Sequence, residues 1–199
     1  MALAESRVPA DPLALFRRWY RQAERKGALQ PDAIALATAD ARGAPSARMV
    51  LFKGIDDGRF LFYSNYDSRK GRDLAVNPRA ALVFHWPVVR HQVRVSGKVS
   101  KLPRADSRAY FHSRPRGAQV SALASRQSRV VASRAVLEKA VAELEKGYPE
   151  IVPLPTDWGG YALRPVWIEF WENRADRLHD RLRYMRTREG GWRLERLAP

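Results

Sequence analysis

The segment RAALVFHW at residues 79–86 is followed closely by VRHQVRVSGKVSKL at residues 89–102. Both are rich in the β-branched and aromatic residues that favour strands. In the second segment polar residues alternate with apolar ones, which places on one face of a strand Gln92, Arg94, Ser96 and Lys98. The short connection between the segments predicts two long antiparallel strands, and these strands suggest a mainly β fold.

Shorter strand patterns lie on both sides of this pair, at residues 33–38, 46–53, 59–64, 167–171, 181–188 and 191–196. A helix is predicted from Pro12, with Asp11 as its cap, to about Gly27. Further helical patterns cover residues 68–77 and 105–147, whereas PLPTDWGG at 153–160 is interpreted as a loop. Together these elements predict an α+β protein with an antiparallel β-barrel core and peripheral helices.

The composition of the 199 residues indicates one globular domain, with 45% hydrophobic residues and no cysteine. The lack of cysteine excludes disulfides, thiolate metal sites and a thiol nucleophile. The opening residues MALAESRVPADP do not resemble a secretory signal, and the apolar runs are too short to span a membrane. We therefore expect a cytoplasmic protein with no membrane contact, in which residues 1–10 form a flexible tail.

The net charge of +15 allows three interpretations: nucleic-acid binding, a solvated basic surface, or arginines that hold small phosphorylated ligands. Acidic residues are scattered among the basic ones, and no zinc-finger or aromatic RNA-binding signature is present. We therefore rank nucleic acid last and expect no nucleic-acid partner.

Several common catalytic motifs are missing from the sequence. It contains no GxGxxG after a strand, no GxxxxGK[ST] loop and no GxSxG elbow. The four histidines lack metal-ligand spacing, so we expect no metal site.

Two polar clusters accompany the early strands. Arg48 and Lys53 flank one strand, and the residues alone favour an ordinary strand with solvated ends over an anion site. Strict alternation places the two on opposite faces, so a shared site requires a twist near Lys53. In the segment YSNYDSRK, Arg69 and Lys70 lie in the first turn of a helix, where their charge opposes the helix dipole. That unfavourable placement suggests a bound phosphate.

Two further clusters lie near the middle and the end of the chain. Tyr110 and Arg114 are four residues apart and would share one helix face, suitable for a phosphate or for ordinary packing. If residues 177–181 are extended, Arg177, His179 and Arg181 share one face of a strand. Such a row suits an anionic or polar ligand, or an exposed charged edge strand; spacing alone does not separate the two.

Taken in order, these clusters resemble the pyridoxine/pyridoxamine 5′-phosphate oxidase family. The resemblance runs from about Asp11 to Pro199 and rests on RMVLFK, YSNYDSRKG, NPRAALVFHW, HQVRVSGK, YFHSRPR, SRQS, WGGY, IEFW, RLHDRLRY and the terminal RLAP. It implies an antiparallel split β-barrel and a homodimer with FMN at the subunit interface. The implied reaction oxidises pyridoxamine or pyridoxine 5′-phosphate to pyridoxal 5′-phosphate, and O2 is reduced to hydrogen peroxide.

The same resemblance implies roles for individual residues. FMN would be bound by Arg48, Met49, Val50, Leu51, Phe52, Lys53, Tyr63, Ser64, Arg69, Lys70, Gln92, Gln127, Ser128, Trp171 and Arg181. The substrate would be bound by Lys53, Tyr110, Arg114, Arg177, Leu178 and His179. Of these, Arg177 and His179 are the expected catalytic residues, with positioning and polarising roles. The flavin accepts the hydride, so the protein needs no metal or nucleophile.

The chain departs from the family pattern in two places. Ala118 stands where the family often has a serine that binds the substrate phosphate, and Ser121 is a candidate substitute. Only about ten residues precede Asp11, and they lack the arginine-tyrosine pattern that folds over the active site in many members. Alternative functions are an FMN-dependent oxidase of the phenazine-pathway type, or a non-catalytic flavin- or pyridoxal-phosphate-binding protein.

Overall fold

The computed structural model describes residues 3–199. Within that range it contains five α-helices, α1 (Pro12–Arg25), α2 (Arg69–Val76), α3 (Arg104–Ser113), α4 (Arg116–Ala124) and α5 (Arg134–Gly147). The strands are β1 (Ala33–Ala39), β2 (Pro45–Asp56), β3 (Arg59–Asn65), β4 (Arg79–Trp86), β5 (His91–Lys101), β6 (Trp158–Glu172), β7 (Asp180–Arg186) and β8 (Trp192–Arg196).

All of these strands belong to one antiparallel sheet, whose order is β3-β2-β1-β4-β5-β6-β7-β8. An additional pairing of β3 with β6 closes the first six strands into a barrel. The long strand β6 makes this possible, because residues 158–163 pair with β3 and residues 167–172 pair with β7. The expected antiparallel split barrel with peripheral helices is thus confirmed.

The barrel interior is filled by the apolar positions that the period-two pattern predicted. Leu82 and Phe84 on β4, with Val93 and Val95 on β5, are fully buried. Helix α1 covers one end of the barrel and inserts Phe16, whose ring centroid lies 4.8 Å from that of Phe84. Burying such a side chain contributes about 2–3 kcal/mol, so this contact anchors α1 firmly.

The predicted signals at the ends of α1 are both present. The Asp11 side chain accepts a hydrogen bond from the Leu13 N–H at 2.9 Å, which caps the helix. The helix ends at Arg25, and the chain reverses at Gly27, where φ is +79°.

No helix within residues 3–199 is long and apolar enough to cross a membrane.

The interpretation of PLPTDWGG as a loop is wrong for its last three residues. Strand β6 begins at Trp158 and includes Gly159 and Gly160. A Cβ on Gly159 would meet Tyr66, and one on Gly160 would meet Leu102. These glycines therefore mark a close approach of strand and neighbours, not a turn.

Residues 3–9, part of the segment expected to be a flexible tail, lie against the barrel. Leu3 is buried, and the Tyr184 hydroxyl donates to the Pro9 carbonyl at 2.7 Å. Glu5 pairs with Arg196 on β8 at 2.7 Å. Residues 1 and 2, which the same expectation covered, lie outside the described residues.

Candidate functional site

A cleft of about 900 Å3 lies on the outside of the barrel, between β2, β3, the start of α2 and helix α4. It brings together most of the residues predicted to bind ligands: Arg48, Met49, Val50, Leu51, Lys53, Tyr63, Ser64, Arg69, Lys70, Tyr110, Arg114, Gln127 and Ser128. Ala118 and Ser121, the positions where the chain departs from the family pattern, also line it.

One end of the cleft is built around Lys70, which is 7% exposed. Its ammonium donates to the side chains of Ser64 at 3.0 Å, Ser68 at 3.2 Å and Gln127 at 2.8 Å. Burial lowers the Lys70 pKa to about 8, with a further contribution from the charge of Arg48. A buried cation held by neutral acceptors at a helix N-terminus is suited to an anionic ligand such as a phosphate.

Arg48 is held by the barrel itself. Its guanidinium donates to Thr38 Oγ1 and Ser46 Oγ, both at 2.7 Å, and lies 3.7 Å from the Asp73 carboxylate. Burial is the main cause of a lowered Arg48 pKa, and the Asp73 charge opposes it. Arg48 therefore forms a fixed wall of the cleft.

Lys53 reaches the same cleft, although simple alternation placed it on the face opposite Arg48. The pairing of β2 with β3 shifts register between Phe52 and Ile55, and Gly54 has φ +105°. The shared cleft does not depend on this irregularity, because Met49 and Leu51, on the same face as Lys53 by alternation, already line it beside Arg48. The Lys53 ammonium pairs with Asp32 at 3.0 Å.

The Phe52 side chain, predicted with its neighbours to bind the cofactor, does not line the cleft. It is 7% exposed and packs against Phe16 and Phe84 in the barrel core. Because its ring is packed in the barrel core, only its main chain remains for ligand contact.

The other end of the cleft contains Arg114 and an aromatic stack. The rings of Tyr63 and Tyr110 are stacked with centroids 3.8 Å apart, and the Arg114 guanidinium lies 4.9 Å from the Trp158 ring centroid. Arg114 Nη1 is buried and has no hydrogen-bond partner among residues 3–199. Burial lowers the Arg114 pKa. An unpaired guanidinium N–H beside a phenol again suits a phosphate.

A second group of predicted residues lies away from the cleft. Gln92, Trp171 and Arg181 are register neighbours across β5, β6 and β7. Arg181 donates to the buried carboxylate of Glu169 at 3.0 Å, and the His179 ring centroid lies 4.7 Å from that of Trp171.

The barrel order explains why the two groups are apart. Around the closed ring, β2 and β5 are separated by two strands in either direction. None of the second group, Gln92, Trp171, Arg177, Leu178, His179 and Arg181, lines the cleft. One chain therefore carries the predicted residues in two separate groups.

The extended row of Arg177, His179 and Arg181, considered from spacing, does not form. Strand β7 begins at Asp180, and Arg177 has φ +65° within a turn. The turn is closed by the Asp176 side chain, which accepts from the Leu178 N–H at 3.1 Å. Arg177 and Leu178 project from this loop and are exposed, and His179 is partly buried.

Sequence reasoning missed several residues that shape the site. Trp158 lines the cleft, although its segment was interpreted as a loop. The two glycines that follow it were the available signal for a strand in close contact with its neighbours. Thr38 and Asp73, which hold Arg48, are distant in sequence and gave no signal.

Within the described part of the chain, no group of three His, Cys, Asp or Glu side chains could hold a metal ion.

An antiparallel split barrel with a cationic cleft on its outside places the chain among split-barrel proteins suited to anionic ligands. Residues 21–147 match the family model described as pyridoxamine 5′-phosphate oxidase. Residues 158–199 match the pyridoxine 5′-phosphate oxidase C-terminal dimerisation region, which supports a homodimer. The chain belongs to the pyridoxamine 5′-phosphate oxidase family, as the sequence resemblance implied.

Two relatives are similar in sequence to this protein along its whole length. The pyridoxine/pyridoxamine 5′-phosphate oxidase of Salinibacter ruber is 53% identical over 200 residues, covering 99% of this chain and 93% of the relative. That of Cupriavidus taiwanensis is 51% identical over 198 residues, covering 100% and 93%. These full-length matches identify the chain as an enzyme of this oxidase family.

Two solved structures extend the comparison. PhzG from Burkholderia lata, in complex with tetrahydrophenazine-1-carboxylic acid, superposes with a TM-score of 0.92 at 33% identity, covering 98% of this chain and 95% of PhzG. A pyridoxamine 5′-phosphate oxidase-related, FMN-binding protein from Nostoc punctiforme has a TM-score of 0.75 at 19% identity, covering 95% and 98%. The second match bears on the fold alone.

Proposed function

We propose that this protein is an FMN-dependent oxidase that converts pyridoxamine 5′-phosphate and pyridoxine 5′-phosphate to pyridoxal 5′-phosphate, with O2 reduced to H2O2. The observation that carries the proposal is the presence of two cationic ends in one cleft. Lys70 is buried without a charged acceptor at one end, and Arg114 has an unpaired buried N–H at the other. A cofactor phosphate and a substrate phosphate would satisfy both.

The cleft residues fit FMN in size and in charge. A space of about 900 Å3 lies within the range of cofactor sites. Lys70, Arg69 and the start of α2 would hold the phosphate, while the exposed strand segment Met49–Leu51 would lie along the ring system. When bound, the flavin supplies the hydride acceptor.

The substrate phosphate would be bound by Tyr110, Arg114 and Lys53. A planar guanidinium binds phosphate through paired N–H donors. The Tyr110 ring is stacked on that of Tyr63, and this contact limits the freedom of the Tyr110 side chain. The contribution of these residues is to fix the reacting carbon in place, because alignment alone removes a large part of the barrier. Arg177, Leu178 and His179 would cover the substrate ring, and Arg177 and His179 would polarise it.

We propose further that the two groups of predicted residues are half-sites, which meet across the homodimer interface. In a two-fold dimer the same surfaces meet twice, so the cleft of one chain can face the Gln92–Trp171–Arg181 row of the other. Met49 and Leu51, 63% and 45% exposed beside the cleft, are large apolar side chains that such an interface would cover. Each active site would then be composite.

The likeness to PhzG favours one alternative, an oxidase acting on a phenazine precursor. Arg114 argues for the phosphorylated substrate, because a buried guanidinium with an open N–H needs an anion close by. A non-catalytic flavin- or pyridoxal-phosphate-binding protein is the other alternative.

The test is to purify the protein, load it with FMN and measure O2 consumption and H2O2 release. Pyridoxamine 5′-phosphate, pyridoxine 5′-phosphate and tetrahydrophenazine-1-carboxylic acid would be compared. We expect turnover and peroxide with the two phosphate esters. Flavin binding without turnover would favour a binding protein, and turnover with the phenazine compound alone would contradict the proposal.

A further inference from the structure

The loop at residues 173–179 joins β6 to β7 and carries Arg177, Leu178 and His179. It is anchored at its start by Arg174, whose guanidinium donates to Asp180 Oδ2 at 2.7 Å from Nε and at 2.5 Å from Nη2. This paired contact bridges the loop, because Asp180 is the first residue of β7. The two ends of the loop are thus tied together by one ion pair.

The same arrangement fixes the histidine ring. The main-chain N–H of Arg174 donates to His179 Nδ1 at 3.1 Å. Since Nδ1 accepts this bond, the neutral imidazole must carry its proton on Nε2. The Trp171 ring, with its centroid 4.7 Å away, limits rotation of the imidazole.

Asp180 is held from a second side. Its other oxygen accepts from Arg196 Nη1 at 2.9 Å, and Arg196 is itself paired with Glu5 at 2.7 Å. Burial opposes ionisation of Asp180, but the hydrogen bonds from Arg174 and Arg196 outweigh it and lower the Asp180 pKa. The carboxylate is therefore charged at neutral pH and links the N-terminal segment to the loop.

We infer that Asp180 is a positioning residue: it holds Arg174 so that the Arg174 main-chain N–H keeps His179 as the Nε2–H tautomer, with that proton available to donate to the substrate. The inference rests on the proposed function only for the place of His179 over the substrate. The geometry of the loop stands apart from the reaction.

The test compares Asp180→Asn with the matched variant Glu195→Gln. Glu195 likewise accepts from two arginines, Arg183 at 2.7 Å and Arg193 at 2.6 Å, but lies on β8 away from the loop. Asp180→Asn replaces one acceptor oxygen by an amide donor that faces an arginine, so one of the two contacts is lost. We expect kcat with pyridoxamine 5′-phosphate to fall about 10- to 100-fold with a smaller change in KM. Asp180→Glu should restore part of it, and Glu195→Gln should leave kcat unchanged.

The second readout is the ¹⁵N NMR spectrum of the histidine rings in the FMN-loaded protein, with His179 assigned by its loss in His179→Gln. We expect the wild-type spectrum to show His179 as the Nε2–H tautomer. In Asp180→Asn we expect a mixture of the Nε2–H and Nδ1–H tautomers. An unchanged tautomer in Asp180→Asn would overturn the inference, as would an equal loss of kcat in Glu195→Gln. If the wild type has no oxidase activity, the proposed function fails, and the tautomer comparison still decides the role of Asp180.

Discussion

The Lys70 ammonium donates to Gln127 Oε1 at 2.8 Å and so joins the first turn of α2 to the loop that follows α4. Ser64 also donates to the same oxygen, at 3.1 Å. A buried cation, a hydroxyl and an amide from three parts of the chain thus converge at one point of the cleft. Their hydrogen bonds hold Lys70 in place without neutralising it, and this leaves its charge available to a ligand.

We predict that Lys70→Gln weakens FMN binding about 10- to 100-fold, because a hydrogen bond to a charged group contributes about 1.5–3 kcal/mol. Titration of flavin fluorescence against apoprotein measures the effect. Arg72→Gln is the control, since Arg72 is exposed on the same helix and does not line the cleft. Equal losses in the two variants would show that the helix charge, and not Lys70 itself, matters.

FMN binding should also weaken as the pH rises. The Lys70 pKa of the apoprotein is lowered to about 8, and a bound phosphate favours the charged form and raises it. The affinity for FMN is therefore highest below the pKa of the apoprotein, where Lys70 is charged, and it falls as the pH rises above that pKa. The hydrogen-bond acceptors Ser64, Ser68 and Gln127 do not titrate in this range.

We therefore expect the dissociation constant to rise up to about tenfold per pH unit above pH ~8. Lys70→Gln should remove this rise. A pH-independent affinity between about pH 7 and 9.5 in the wild type would count against Lys70 as the phosphate ligand.

Much of the fold follows from local pattern. The cap of α1 and the alternating strands β4 and β5 are set by neighbouring residues, and both predictions are confirmed. The start of β6 was missed because two glycines that usually mark a turn here allow close contact with Tyr66 and Leu102. These contacts form only when segments that are distant in the sequence come together in the folded protein.

The site was predicted less completely, for a similar reason. Cationic positions such as Lys70 and Arg114 could be identified in the sequence, and the structure brings them to one cleft. The turn at Arg177 is held by Asp176 and by the Arg174–Asp180 pair, and spacing alone gave no sign of it. The separation of the two half-sites depends on the strand order around the barrel, which a list of motifs does not contain.

Arg114→Lys should raise KM for pyridoxamine 5′-phosphate about 10- to 100-fold, because a lysine cannot reproduce the planar paired donors of arginine. Activity with unphosphorylated pyridoxamine should change little, since it lacks the group that Arg114 would bind. Arg108→Lys, at an exposed position on α3, serves as the control. Steady-state O2 consumption measures both substrates, and a parallel loss with both would refute the assignment of Arg114 to the substrate phosphate.

The central claim is that each flavin site combines the cleft of one chain with the β5–β7 row of its partner. It is tested most directly by a heterodimer of Lys70→Gln and Arg181→Gln chains, isolated with two different affinity tags. Each parent homodimer should bind FMN poorly at both sites. In the heterodimer, one site would contain wild-type Lys70 from one chain and wild-type Arg181 from the other. We predict one tightly bound FMN per heterodimer and about half of the wild-type activity. A heterodimer as poor in flavin and activity as its parents would show that both residues of a site come from one chain, and it would contradict the account.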